Sequence, residues 1–201
     1  MKLLRMEMVK SMYTSIYMVR HGESPKTNEH ERTRGLTEKG RLDAVKVAEQ
    51  LQNEGIDVLL SSPYNRSVLT IQKLATRLKQ DILTVEDLKE RIFSPGDQPL
   101  SHEELIPLLE ESFADWKYAS KGGESNRDCQ DRAVRAFTEI LQTYKGKKIV
   151  IGTHGVVMTL IMNHYNSRYD INFVSQTSKP DIYKMEFQGE NLIGVNRLWM
   201  E

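Results

Sequence analysis

Strand patterns and amphipathic helix patterns alternate along this chain, and this alternation restricts the fold more than any other feature of the sequence. Short β-branched or apolar runs between turn residues predict buried strands, and longer runs with helical spacing predict the helices between them. Such alternation is typical of parallel strands covered by helices on both faces, so we expect a three-layer α/β/α sandwich with a mostly parallel central sheet. Strands are predicted at 13–19, 57–61, 82–85 and 148–152, with a closing hairpin at 181–188 and 192–199.

Two long helices are predicted from spacing and from a cap. Over 37–53, apolar residues recur every three positions and predict one buried face. That face consists of Leu42, Val45, Ala48 and Leu51. Ser125 followed by Asp128 has the form of an N-terminal capping box, which predicts a helix over 125–144. Shorter helices are predicted after Pro63, over 103–116 and after His154.

The length of 201 residues fits one ordinary α/β domain, so we assign 1–201 to a single domain. Residues 1–11 precede the first strand and are predicted to be an N-terminal extension. Residues 88–123 carry several Pro and Gly residues, which break up regular structure. We expect this stretch to be an excursion from the sheet near the active site.

Composition excludes several classes of protein. Lys and Arg together number 28, as do Asp and Glu, and this zero net charge argues against a dedicated nucleic-acid binder. The single Cys129 has no second cysteine for a disulfide or a thiolate zinc site. The longest apolar run is too short to span a bilayer, and charged residues interrupt the apolar start of the chain. We therefore expect a cytoplasmic protein with neither a nucleic-acid nor a membrane partner.

Basic and titratable side chains follow three of the predicted strands. Arg20 and His21 come at the end of the first strand, His154 follows another, and Arg66 lies in the first turn after a third. Open α/β sheets bind their ligands at this carboxyl edge. Two guanidinium groups and two imidazoles suit a phosphate dianion, because guanidinium N–H pairs match phosphoryl oxygens. Zinc is disfavoured, since the arginines would repel a dication and no thiolate or carboxylate cluster accompanies the histidines.

Six motifs follow one another along the chain: MVRHGES at 18–24, LTEKG at 36–40, SSPYNR at 61–66, LKE at 88–90, GGES at 122–125 and THGVV at 153–157. In sequence and in order they resemble the motifs of the histidine phosphatase superfamily, the phosphoglycerate-mutase-like proteins. The resemblance covers 18–157 and implies the phosphoglycerate-mutase-like fold. Its implied activity is that of a metal-independent phosphatase, which hydrolyses small phosphomonoesters through a phosphohistidine intermediate and needs no cofactor.

The resemblance also implies roles for individual residues. His21 is the expected nucleophile, with its other ring nitrogen donating to a backbone carbonyl. Arg20, Arg66 and His154 are expected to hold the phosphoryl oxygens and to stabilise charge in the transition state. Glu90 occupies the position of the proton donor to the leaving oxygen, and the same carboxylate is expected to activate water afterwards.

Two departures from the family pattern affect the site. Relatives often carry Asn seven positions after the Arg, where this chain has Thr27 followed by Asn28; both are candidate substrate-binding residues. The residues after Glu90 also differ from the usual continuation, which leaves its acidic neighbours as rivals for the donor role. Those neighbours are Glu86, Asp87, Glu103 and Glu104.

Two alternatives to a phosphatase remain open at this stage. A phosphoglycerate mutase uses the same chemistry but returns the phosphoryl group, and Glu90-Arg91 echoes the acid motif of those enzymes. A non-catalytic phosphate-binding regulatory module on the same fold is the third reading, although binding alone requires no nucleophile. The pattern specifies neither the physiological substrate nor the oligomeric state.

Overall fold

The computed structural model of the protein describes residues 13–25 and 30–200. The extension predicted at 1–11 and the candidate binding residues Thr27 and Asn28 lie outside these described residues. Among the helices that it contains, none combines the length and the apolar character that crossing a membrane requires.

Six strands form one sheet among the described residues: β1 Tyr13–Arg20, β2 Val58–Ser61, β3 Ile82–Thr84, β4 Lys148–Thr153, β5 Asp181–Gln188 and β6 Asn191–Arg197. Their order across the sheet is β3-β2-β4-β1-β5-β6. Pairing is parallel between β1 and β4, β2 and β4, and β2 and β3, and antiparallel between β1 and β5 and between β5 and β6. The mostly parallel sheet and its closing hairpin are therefore confirmed.

Helices cover both faces of this sheet. Their bounds are α1 Glu38–Leu51, α2 Asn65–Leu78, α3 His102–Ala114, α4 Asn126–Thr143, α5 Gly155–Tyr165 and α6 Ile171–Gln176. Apolar side chains of α1 and α2 pack with Tyr17 and Val19 on one face, whereas those of α4 and α5 pack with Ile16 and Met18 on the other. Successive β1 residues thus point into two different hydrophobic cores, as expected for a strand with helices on both faces of its sheet. The three-layer prediction is confirmed.

The predicted buried face of α1 is wrong in part. Thr37 caps the helix as its side chain accepts a hydrogen bond from Gly40 N, but Leu42 is 62% exposed and Val45 is only half-buried. The buried apolar set is Ala44, Val47, Ala48 and Leu51. A repeat of three residues drifts about 60° around a helix at each step, so it cannot stay on one face.

The excursion at 88–123 packs on the same side of the sheet as α4 and α5. Leu88 and Leu109 of this stretch belong to that core, and α3 lies within it. The capping box predicted for α4 is confirmed, because Ser125 and Asp128 satisfy each other's backbone N–H groups. The helix α6 was not predicted, since six residues are too few to show helical periodicity.

Candidate active site

The carboxyl ends of β1, β2 and β4 bring the predicted basic residues together. Arg20 pairs with Thr153 across the parallel β1–β4 ladder, and Ser61 pairs with Gly152 across the β2–β4 ladder. As a result, His21 and His154 follow neighbouring strands, and their ring centroids lie 5.3 Å apart. One pocket at this edge is lined by Arg20, His21, Arg66 and Glu90.

The geometry of His21 determines which of its nitrogens is free to react. Nδ1 lies 2.7 Å from the carbonyl oxygen of Gly22, and because a carbonyl only accepts, Nδ1 carries the proton. Burial, and then the nearby Arg66 and Arg20, hold the pKa of His21 well below its usual value. The ring is therefore neutral and leaves Nε2 with a lone pair.

His154 stands beside His21 and is completely buried. Its Nε2 lies 2.7 Å from Ser62 Oγ and 3.1 Å from Ser67 Oγ. The Tyr64 ring meets the imidazole edge-on at a centroid distance of 5.0 Å. Burial, followed by the charge of Arg66, holds the pKa of His154 well below its usual value, so this ring is also neutral.

Arg20 is 9% exposed, and hydrogen bonds to Thr177 hold its guanidinium in place. Its Nη1 donates to the carbonyl oxygen of Thr177 at 2.7 Å and to the hydroxyl group of the same residue. Gly155 lies against the guanidinium, and a Cβ atom there would stand 2.9 Å from Cζ and Nη2 of Arg20. Glycine at 155 thus makes room for the arginine.

Arg66 is 2% exposed and is anchored along one edge by Glu31. Its Nη1 donates to the Glu31 carbonyl oxygen at 2.6 Å, and its Nη2 lies 2.8 Å from Glu31 Oε2. The same carboxylate accepts from Arg34 Nη2 at 2.6 and 2.7 Å. Glu31 therefore orients two arginines and leaves the Nε edge of Arg66 for another partner.

Five nitrogen atoms of this site are buried without a hydrogen-bond partner among residues 13–25 and 30–200. These open nitrogens are Arg20 Nε, Arg34 Nε, Arg66 Nε, Arg91 Nη2 and His154 Nδ1. Leaving a buried donor unsatisfied costs about 1–3 kcal/mol, and more for a charged group. Four of the five are guanidinium N–H donors, and such a concentration of donors suits an anion with several oxygen atoms, which accepts from many directions at once.

Of the acids considered from the sequence, Glu90 is the one found among the described residues that line the pocket. Its Oε1 accepts from Arg91 N at 2.9 Å and from Val157 N at 3.0 Å, and its Oε2 accepts from Val156 N at 3.2 Å. These bonds place the carboxylate at the first turn of α5, the helix that His154 precedes. The rival acids Glu86, Asp87, Glu103 and Glu104 are not among the described residues that line the pocket.

Further charged residues line the same pocket, and those that were not predicted include Glu31, Arg91, Asp97 and Lys179. The start of β5 lies beside the end of β1, because the two strands are antiparallel and Asp181 pairs with Arg20. This pairing brings Lys179 to the pocket, where partial burial and the nearby Arg20, Arg34 and Arg66 lower its pKa to about 8. The predicted hairpin could have pointed to Lys179, because an antiparallel strand starts at the edge of the sheet where the parallel strands end.

The acidic, thiol and imidazole side chains do not form a metal site among the described residues. In the described ranges, no group of three or more His, Cys, Asp or Glu side chains is placed to hold a metal ion. Cys129 is buried in α4, and burial raises the pKa of its thiol well above the usual value. Its role in the structure is packing.

Comparison with known protein families and sequences gives a consistent result. The profile of the histidine phosphatase superfamily (branch 1) matches residues 16–192. Phosphoglycerate mutase-like protein 4 of Arabidopsis thaliana is 34% identical over 160 residues, covering 73% of this chain and 68% of the relative. Metal-independent phosphoserine phosphatase of the same plant is 32% identical over 166 residues, covering 76% of this chain and 69% of the relative.

Solved structures share the fold. A mycobacterial glucosyl-3-phosphoglycerate phosphatase superposes with a TM-score of 0.74 at 19% identity, covering 92% of this chain and 97% of the other. A phosphoserine phosphatase mutant from Entamoeba histolytica, in complex with phosphoserine, superposes with a TM-score of 0.75 at 21% identity. That match covers 91% of this chain and 96% of the other.

Proposed function

The chain belongs to the histidine phosphatase superfamily, and from that premise we propose that it hydrolyses small phosphomonoesters through a phosphohistidine formed on His21. The observation that carries the proposal is the lone pair on His21 Nε2, in a pocket that is also lined by four arginines with open nitrogens: Arg20, Arg34, Arg66 and Arg91. A nucleophile and a set of fixed donors are what phosphoryl transfer requires of a protein.

In the first step, His21 Nε2 attacks phosphorus as the bond from phosphorus to the ester oxygen breaks. Arg20 Nε, Arg66 Nε and His154 Nδ1 donate to the three non-bridging oxygens, which take up charge in the transition state. The attacking ring becomes cationic, and its Nδ1–H remains bonded to the Gly22 carbonyl oxygen throughout. The low pKa of His21 keeps the lone pair available.

Glu90 supplies the proton that the leaving oxygen takes. Its Oε1 already accepts two N–H bonds, whereas Oε2 accepts one, so Oε2 is the oxygen that carries the proton. After the alcohol departs, the carboxylate accepts a proton from the water that attacks phosphohistidine. The bond from phosphorus to Nε2 then breaks, and inorganic phosphate and neutral His21 are restored.

The test is hydrolysis of p-nitrophenyl phosphate in the presence of a chelator, with rapid acid- and base-quench samples. We expect turnover that the chelator leaves unchanged, and a phosphoryl adduct that is stable in base and labile in acid. His21→Ala removes the nucleophile with little core volume, so turnover should fall by more than about a thousandfold, or about 4 kcal/mol in the barrier. Retention of a tenth of the activity in this variant would overturn the covalent mechanism.

A phosphoglycerate mutase is the second candidate, which the names of several relatives favour. A mutase forms the same phosphohistidine but protects it from water and returns the phosphoryl group. Incubation with 3-phosphoglycerate, with and without bisphosphoglycerate, separates the two activities. We expect release of inorganic phosphate, and isomerisation without release would select the mutase.

A further inference from the structure

The two histidines of the site bond to the protein through different ring nitrogens. His21 bonds to protein through Nδ1 and leaves Nε2 for the substrate, whereas His154 bonds to protein through Nε2 and leaves Nδ1 open. Both rings are neutral, so each carries a single N–H whose position decides whether it donates or accepts. The nitrogen of His154 that carries the proton therefore determines whether Nδ1 can donate to a substrate.

The hydroxyl group of Ser62 contacts the other ring nitrogen of His154 and can fix the position of the ring proton. Ser62 Oγ accepts a hydrogen bond from Tyr64 N at 3.2 Å and lies 2.7 Å from His154 Nε2. With the backbone donor on its oxygen, the hydroxyl has one proton to give, and Nε2 is the acceptor in line for it. If Nε2 carried the proton instead, the Ser62 hydroxyl would be left without an acceptor among the described residues, at a site where Ser62 is 0% exposed.

We propose that Ser62 is a positioning residue for phosphoryl transfer, whose hydroxyl group fixes His154 in the tautomer with the proton on Nδ1. This inference rests on the proposed function, because it assigns His154 Nδ1–H as a donor to a phosphoryl oxygen. The opposite tautomer would aim a lone pair at that oxygen, so that a repulsive contact replaces a hydrogen bond. Loss of one such preorganised donor lowers kcat by about 100- to 1000-fold in other enzymes.

Ser67 provides a matched control. Its Oγ lies 3.1 Å from the same His154 Nε2, and the residue is as fully buried as Ser62. However, Ser67 Oγ also lies within donor distance of the Thr153 carbonyl oxygen, at 3.3 Å, which competes for its proton. We expect Ser67→Ala to leave the tautomer of His154 unchanged, whereas Ser62→Ala shifts it.

The first experiment is nitrogen NMR of the full-length protein labelled at histidine. In the wild type, His154 should show a protonated Nδ1 and a bare Nε2, and in Ser62→Ala the proton should move at least partly to Nε2. Ser62→Gly removes the same hydroxyl group, and it replaces Ser62→Ala in every measurement if the alanine variant does not fold. An unchanged tautomer in the folded Ser62 variant would overturn the proposal, and so would a shift in Ser67→Ala alone.

The second experiment is a double-mutant cycle on kcat for p-nitrophenyl phosphate. Ser62→Ala should lower kcat by about 10- to 100-fold in the wild type, as the proton is lost from Nδ1 only in part, and should have almost no effect in the His154→Ala background. The same loss in both backgrounds would mean that Ser62 acts independently of His154, which overturns the proposal. If the wild type itself lacks phosphatase activity, the proposed function fails, and the NMR result alone decides whether Ser62 sets the tautomer.

Discussion

Replacement of Gly155 by alanine is expected to lower activity while leaving the fold stable. The new Cβ would lie 2.9 Å from Arg20 Cζ and Nη2, whereas ordinary contact begins at 3.4 Å. The guanidinium must therefore retreat by about 0.5 Å. A misplacement of about 1 Å costs roughly 100-fold in rate, so half of that distance should cost about tenfold in kcat/KM, or about 1.4 kcal/mol.

Stability should respond in a different way. Gly155 is the first residue of α5, where alanine favours the helical backbone, so the free energy of unfolding should change by less than about 1 kcal/mol. The assay is kcat/KM for p-nitrophenyl phosphate together with urea unfolding. Gly194→Ala serves as the control, because Glu186 Oε2, at 4.0 Å, is the one atom of the described residues that its Cβ would meet within that distance. Wild-type kcat/KM in folded Gly155→Ala would refute the assignment of Arg20 to the phosphoryl group.

Three further predictions concern charge in the pocket. Arg66→Lys should recover only part of the vanadate affinity and turnover that Arg66→Ala loses, since an ammonium group cannot bind Glu31 and an oxyanion with one planar fork; full recovery would place Arg66 outside the phosphoryl pocket. Lys179 has a pKa of about 8 and loses its charge above that pH, so KM for a phosphomonoester dianion should rise between pH 7 and 9. Lys179→Arg should flatten this rise in KM, because arginine keeps its charge over that range. An equal rise in the variant would contradict a role for the Lys179 charge. Glu90→Gln should slow phosphorylation of His21 by alkyl phosphates far more than by p-nitrophenyl phosphate, whose leaving group departs without a proton; equal losses in rapid-quench experiments would remove Glu90 from the donor role.

Much of this site could be predicted from the sequence because parallel strands share a direction. Once strands were recognised before Arg20-His21, Ser61-Ser62 and Thr153-His154, their carboxyl ends had to meet at one edge of the sheet. The Nδ1 contact of His21 was equally accessible, since its acceptor is the next residue in the chain. Local pattern and strand polarity were sufficient for these features.

The choice among the acids required the tertiary structure. Glu86 and Glu90 are four residues apart and chemically alike, yet Glu86 pairs with Arg32 at the surface while Glu90 binds the first turn of α5. The path of the excursion decides between them, and that path depends on how its side chains pack against α4 and α5. No local pattern encodes it.

Long-range contacts likewise appeared only in the folded chain. Glu31 meets Arg66 across 35 residues, and Ser62 meets His154 across 92. The buried face of α1 was misassigned because a spacing of three was taken for a helical face, whereas packing against β1 and α2 selects Val47, Ala48 and Leu51. Periodicity and strand order therefore determine where the cations gather. Hydrogen bonds and charges act over a few ångströms between distant segments, so only the tertiary structure determines which atoms are left to bind a substrate.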